Sequence, residues 1–180
     1  MDVSHHLPPQ EETERRKFFV GLFDAYQRSV YFFTRRILLS HDDAADATQN
    51  TFLKAWKGLT QFRGESSWKT WLLRIAHNES MNLLAIRRKS YTLSESQIFQ
   101  TIDSELLNDP LYTGDEIQRR LNAALETLPP KQKSVFVMRY FENLSYAEIS
   151  LVTGTSEGAL KASYHHAVKK VEGFIILPNV

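Results

Sequence analysis

A stretch of 26 residues, 91–116, divides this chain of 180 residues into two blocks. The stretch holds six Asp and Glu residues but neither Lys nor Arg, and it is rich in Ser, Thr and Asn. Residues 1–90 carry 14 basic and 10 acidic side chains, and residues 117–180 carry 8 and 5. A polar run of one charge sign between two mildly basic blocks is typical of a linker. We therefore expect domains at 1–90 and 117–180, joined by a flexible acidic linker at 91–116.

Apolar residues recur at intervals of three and four in both blocks, which indicates amphipathic helices. In the first block, one series runs over residues 19–37, a second over 48–59 and a third over 68–86. The second block has such a series at 117–128 and ends with another that begins near Ser156. The spacing predicts an all-α fold of two small, compact helical domains, which we expect to be separate apart from their linker.

Several side chains can accept hydrogen bonds from the free N–H groups at a helix start. Asp42 or Asp43 is expected to cap the second helix of the first block. In the second block, Ser145 followed three residues later by Glu148 predicts a capping box. Ser66 or Ser67 is expected to cap the third helix of the first block, which fixes where that helix begins.

The second helix presents a polar face opposite its apolar side, with Asp46, Gln49, Asn50, Leu53 and Lys57. This face is either ordinary solvated surface or, because Leu53 is apolar, a partner site. The third helix ends in a basic cluster at residues 87–89. Such a cluster either complements the helix dipole or attracts phosphate, and the pattern alone leaves both alternatives open.

Residues 42–78, DDAADATQNTFLKAWKGLTQFRGESSWKTWLLRIAHN, resemble region two of bacterial sigma factors, most closely the small extracytoplasmic-function (ECF) group. The resemblance extends over 18–89. It implies that the second helix binds core RNA polymerase, that the loop after it captures a base flipped out of the minus-ten promoter element, and that the third helix presents exposed readers of that element. The implied polymerase contacts are Asp46, Gln49, Asn50 and Leu53. The implied minus-ten contacts are Phe62, Arg63, Ser66, Ser67, Lys69, Arg74, His77, Asn78, Asn82, Arg87 and Arg88.

Residues 118–172 resemble sigma region four, a helix-turn-helix that reads the minus-thirty-five element. The matching features are the Leu-Pro pair at 128–129, RYFENLSYAEIS at 139–150 and Gly154 in a tight turn. The family usually has arginine at two positions where this chain has Ser163 and His166, so fewer full positive charges are available for base contacts. The implied DNA contacts are Ser156, Glu157, Gly158, Lys161, Ala162, His165, His166 and Lys169.

The resemblance over both blocks implies a transcription initiation factor that binds core RNA polymerase and directs it to specific promoter DNA. An anti-sigma factor is a further partner that the resemblance implies. Taken alone, the second block also fits a stand-alone helix-turn-helix regulator. No carboxylate pair, catalytic triad or phosphate-binding loop points to an enzyme.

Composition limits the cellular compartment and the kinds of bound group that we expect for this chain. The chain has no cysteine, which excludes thiolate metal sites and fits a reducing cytosol. His165 and His166 are neighbours on a helix and point about 100° apart, and no third ligand is evident, so we expect no metal site. We also expect no other cofactor. The longest apolar runs are only a few residues, such as FIIL at 174–177, and the N-terminus has no signal-peptide core. We therefore expect a cytoplasmic protein with no membrane insertion.

Overall fold

The computed structural model describes residues 7–90 and 116–176, with the backbone alone for 88–90, 116–119 and 176. Within these ranges every regular element is helical, as the apolar spacing predicts. The elements are α1 (Glu12–Leu38), α2 (His41–Gly58), a 3₁₀ turn (Leu59–Gln61), α3 (Trp68–Ser90), α4 (Glu116–Glu126), α5 (Pro130–Tyr140), α6 (Tyr146–Thr153) and α7 (Glu157–Ile176). The predicted linker, except for Glu116, lies outside the described residues.

Helices α1 to α3 form the first unit, a bundle around large buried side chains. Phe33 of α1, Phe52 of α2, and Trp68 and Leu72 of α3 are all buried in it. Phe18, near the start of α1, meets Trp68 edge-on with 5.4 Å between ring centroids. This contact ties α1 to the first residue of α3 and so positions the loop that precedes α3.

The buried stripe of α3 is rotated relative to the sequence prediction. Leu73, Ala76 and Ser80 are buried, whereas Ile86, which the spacing placed inside, is 60% exposed. Small side chains such as Ala76 and Ser80 let neighbouring helices approach closely, and a pattern based on large apolar side chains overlooks them. This rotation changes which α3 residues can face a partner.

The prediction that an aspartate caps α2 is wrong. The N-cap is Ser40, whose Oγ accepts a hydrogen bond from the backbone N–H of Asp43 at 3.3 Å. Asp42 and Asp43 lie in the first turn, where their carboxylates still complement the helix dipole. The aspartates therefore contribute by charge, and the serine hydroxyl by hydrogen bonding.

The other predicted caps are confirmed. At the start of α3, Ser67 Oγ accepts a hydrogen bond from the N–H of Thr70 at 3.1 Å. At the start of α6, Ser145 Oγ accepts from the N–H of Glu148, and the Glu148 carboxylate accepts in return from the N–H of Ser145 at 2.8 Å. Both helix starts therefore follow from local sequence alone.

Helices α4 to α7 form the second unit. Leu125 of α4, Phe136 of α5, and Leu160 and Ala167 of α7 are buried within it. Helix α6 ends at Thr153 and is capped by Gly154, whose φ of +67° is a left-handed conformation that favours glycine. The turn then leads directly into α7, so α6 and α7 have the helix-turn-helix arrangement that the sequence predicts.

The two units pack directly against each other, α1 against α5 and α3 against α6. One apolar cluster contains Trp68 of the first unit together with Met138 and Ile149 of the second. The Arg36 guanidinium lies 4.1 Å from the centre of the Phe141 ring across the contact. The units are thus in contact in this structure, in contrast to our expectation that they are separate. Apolar spacing indicates which residues are buried but not which unit supplies the residues that cover them. The domain boundaries stay predictions.

Candidate nucleic-acid and polymerase interface

The predicted polymerase face of α2 is open to solvent in this structure. Asp46, Gln49, Asn50 and Leu53 are all exposed, while Ala44, Ala47 and Ala55 on the inward side are fully buried. Leu53 leaves 53% of its surface in water among polar neighbours. The four side chains recur at intervals of three and four, so they form one continuous face on which a partner could dock.

The loop before α3 borders an open cavity of about 550 Å³. The side chains around it are mainly polar, and one apolar side chain, Leu151, comes from α6 of the second unit. Gly64 in the loop has a φ of +74°, a conformation that favours glycine. The lining residues include Phe62, Arg63, Ser66, Arg74, Asn78 and Asn82 of the predicted minus-ten set.

Phe62 is packed against the core of the first unit. Its ring stacks on Trp68 with 3.7 Å between centroids and meets Trp71 edge-on at 5.4 Å. Trp68 is fully buried and Trp71 is half-buried, so both belong to the core. An unpaired base in the cavity would therefore meet a rigid aromatic support.

His77 does not lie where the sequence prediction placed it. Arg74, Asn78 and Asn82 are exposed as expected, but His77 is only 9% exposed, and its Nδ1 has no hydrogen-bond partner among the residues that the structure describes. Burial lowers the pKa of His77 to about 4, so the ring is neutral at physiological pH. The expectation of an exposed reader is wrong, because the rotated stripe of α3 takes in this position.

Two predicted DNA-binding cations are engaged within the chain. Lys69 Nζ lies 2.9 Å from a carboxylate oxygen of Glu142, and Arg87 forms an ion pair with Asp43. Arg63 is exposed, and the side chain of Arg88 lies outside the described residues. The positive charge near the cavity is therefore partly neutralised in this conformation.

The predicted recognition face of the second unit is open throughout. All eight predicted residues are exposed: Ser156, Glu157, Gly158, Lys161, Ala162, His165, His166 and Lys169. On the inner side, Leu160, Ala167 and Val171 of α7 are buried. The helix thus offers a continuous polar face of the kind that can enter a DNA groove.

The structure describes no group of three or more His, Cys, Asp or Glu side chains that could hold a metal ion. His165 and His166 have ring centroids 6.1 Å apart. Among the described helices, none combines the length and hydropathy needed to cross a membrane.

Sequence reasoning missed the residues at the contact between the two units. Glu142 follows α5 in a turn whose polar residues suggest solvent exposure, yet it is only 8% exposed. Thr70 is buried as well, and its hydroxyl lies 3.3 Å from Glu148. No periodicity within a single unit could have identified these contacts.

Comparison with known families matches both units. The model for sigma-70 region 2 matches residues 22–90, and the model for sigma-70 region 4 matches residues 118–171. The chain is 28% identical over 156 residues to the RNA polymerase sigma-H factor of Pseudomonas aeruginosa, covering 82% of this chain and 80% of that protein. It is 27% identical over 183 residues to the ECF RNA polymerase sigma-E factor of Escherichia coli K12, covering 94% and 95%.

Two solved structures share the fold. The sigma factor RpoE of Bartonella quintana, in complex with the anti-sigma factor NepR, is 20% identical with a TM-score of 0.75, and the match covers 91% of this chain and 99% of that one. CnrH in complex with the cytosolic domain of CnrY is 20% identical with a TM-score of 0.70, over 97% of both chains. With both regions matched in order along one chain, the protein belongs to the sigma-70 family, in the ECF group of RNA polymerase sigma factors.

Proposed function

We propose that this transcription initiation factor acts through three surfaces. Core RNA polymerase binds the polymerase face of α2, the minus-ten element binds the cavity and the exposed side of α3, and the minus-thirty-five element binds the recognition face of α7. The observation that carries the proposal is the exposure of every residue of the polymerase and recognition faces on two units that match sigma regions two and four.

Promoter opening at the minus-ten surface needs no covalent chemistry. It needs a pocket that holds an unstacked base, which costs a few kcal/mol to extrude, and cations that retain the single strand. The cavity beside Phe62 supplies the pocket, and Arg63 and Arg74 at its edge supply exposed positive charge. Asn78 and Asn82 lie on the same wall and can donate and accept hydrogen bonds with base edges.

Minus-thirty-five recognition rests on lysine and histidine. Lys161 and Lys169 provide exposed charge for phosphates, and His165 and His166 provide hydrogen-bonding groups for base edges. A bidentate arginine contact with guanine contributes about 1–3 kcal/mol of discrimination, and the recognition face contains no arginine. We therefore expect weaker discrimination at this element than an arginine-bearing relative has.

A stand-alone helix-turn-helix regulator is the alternative, and it is not favoured. Such a protein would use only the second unit, yet the sigma-70 region 2 match accounts for residues 22–90. The regulator would bind its operator without polymerase and would be insensitive to changes at Leu53.

We propose an anti-sigma factor as a further partner. The two solved neighbours are described as a sigma factor with an anti-sigma factor and as CnrH with the cytosolic domain of CnrY. The exposed Leu53 and the cavity edge at Leu151 are apolar sites on which such a partner could pack. Because its partners are polymerase and promoter DNA, we place the protein in the cytoplasm, and we assign it no enzymatic reaction of its own.

The test is run-off transcription on fragmented genomic DNA with purified core RNA polymerase, with and without the chain. We expect a discrete set of transcripts that depends on the added chain. Sequencing their start sites would define both promoter elements. The absence of any chain-dependent transcript, together with the absence of a stable complex with core polymerase, would contradict the proposal.

A further inference from the structure

Glu142 is the centre of a polar contact between the two units. Its carboxylate accepts a hydrogen bond from the Ser29 hydroxyl of α1 at 3.1 Å and pairs with Lys69 Nζ of α3 at 2.9 Å. Lys69 Nζ also donates to the backbone carbonyl of Glu142 at 2.9 Å. Every side-chain partner that the structure assigns to this carboxylate therefore lies in the other unit.

A second carboxylate of the same unit reaches α3 one residue further on. Thr70 Oγ1 donates to Glu148 Oε1 at 3.3 Å, and Thr70 is only 1% exposed. Leu151, further along α6, lies at the edge of the cavity. The start of α3 is thus covered by the turn after α5 and by α6.

These covered residues belong to the surface to which the proposed function assigns the minus-ten DNA. Lys69 can hold a DNA phosphate or the Glu142 carboxylate, but one ammonium group cannot neutralise both at the same site. The carboxylate of Glu142 therefore stands where a phosphate would bind. The polymerase face and the recognition face, by contrast, remain exposed in the same conformation.

We propose that this conformation is an autoinhibited closed state in which Glu142 acts as an internal substitute for a DNA phosphate on Lys69. The effect of this state on promoter binding rests on the proposed function. In the closed state the minus-ten surface is partly blocked. Because the polymerase face stays free, polymerase can dock before the units separate. Promoter DNA at the minus-ten surface binds only the open state and therefore shifts the population towards it.

The absence of cysteine from the chain permits a direct distance measurement. Ala45 of α2 and Ala159 of α7 are exposed residues, one in each unit. We would replace both by cysteine in the full-length chain, attach a donor and an acceptor dye, and record single-molecule energy transfer with neither polymerase nor DNA present. The unmodified interface should give one narrow population with a short, fixed separation.

Charge reversal at the contact then tests the role of Glu142. Glu142→Lys should raise the ratio of open to closed molecules about tenfold or more, because two like charges would meet at a buried site. The double variant Glu142→Lys with Lys69→Glu restores opposite charges and should return most molecules to the short separation. Glu172→Lys makes the same charge change at an exposed site of the second unit and should leave the distribution unchanged.

Three results would overturn the inference: a broad, long separation in the starting protein, no change with Glu142→Lys, or no recovery in the charge-swapped double variant. Adding purified core RNA polymerase together with fragmented genomic DNA separates this inference from the proposed function. If both are right, the mixture lengthens the separation in the starting protein, because DNA at the minus-ten surface needs that surface uncovered. If the proposed function fails and the closed state exists, the mixture has no effect while Glu142→Lys still opens the chain.

Discussion

We assign both the recognition face of α7 and the minus-ten surface of α3 to promoter DNA, yet the two surfaces differ in how many of their side chains are exposed. Every predicted residue of the recognition face is exposed. At the minus-ten surface, Lys69 pairs with Glu142, Arg87 pairs with Asp43, and His77 is buried. One of the two proposed DNA-binding surfaces is thus exposed in the free chain, and the other is partly engaged in internal contacts.

The largest expected effect tests the dependence of the minus-ten surface on the buried core. Trp68→Ala should lower the free energy of unfolding by about 3–5 kcal/mol, because Trp68 is 1% exposed and Phe62 stacks on it. Urea denaturation followed by circular dichroism measures the change. Tyr140→Ala removes an aromatic ring that is more than half exposed in the second unit, and it should lower the free energy of unfolding much less. Equal losses for the two variants would contradict the dependence of the minus-ten surface on the buried core.

The second prediction concerns pH and the buried histidine. Burial lowers the pKa of His77 from 6.5 to about 4, so between these values the unfolded chain binds the extra proton and stability falls as the pH falls. We expect His77 to account for a loss of about 2 kcal/mol between pH 7 and pH 5.

Urea denaturation at both pH values checks this contribution. The variant His77→Leu should lose it, whereas His165→Gln on the exposed recognition face should retain it. If His77→Leu keeps the full pH dependence of the starting protein, His77 is not buried in solution and the minus-ten surface is more open than the structure indicates.

The third prediction compares one lysine from each surface in the isolated chain. Lys169→Ala should weaken binding to duplex DNA of unselected sequence several-fold and reduce the slope of log affinity against log salt by about one. Lys69→Ala should have a smaller effect on both quantities, because Lys69 is already paired with Glu142. Fluorescence anisotropy across a salt series gives both values, and an equal effect of the two substitutions would mean that the surfaces are equally available.

The smallest expected effect tests the helix that carries the polymerase face. Ser40→Ala removes the cap of α2 and should cost about 1 kcal/mol of stability. Asp42→Asn is the matched control and should cost only a few tenths, because its charge acts through the helix dipole alone. Thermal denaturation of both variants would distinguish the two roles, and a larger loss for Asp42→Asn would restore the aspartate as the cap.

Local sequence accounts for much of this fold. The capping box of Ser145 and Glu148 and the glycine turn at Gly154 follow from residues within one turn of each other, and α2 and α7 expose the faces that their spacing predicts. Positions that depend on neighbours distant in sequence were not predictable. His77 is buried because α3 packs through small residues, and Glu142 is buried because another unit, more than seventy residues away, covers it.

The most direct test of the central claim is the affinity of core RNA polymerase for two matched variants. Leu53 and Leu151 are exposed leucines of nearly equal accessibility, 53% and 52%, on α2 and α6. The account predicts that Leu53→Asp weakens binding to core polymerase at least about tenfold, since it places a charge at the centre of an apolar contact, and that Leu151→Asp leaves this affinity unchanged. Equal affinities of both variants and the starting protein would contradict the assignment of α2 as the polymerase-binding surface.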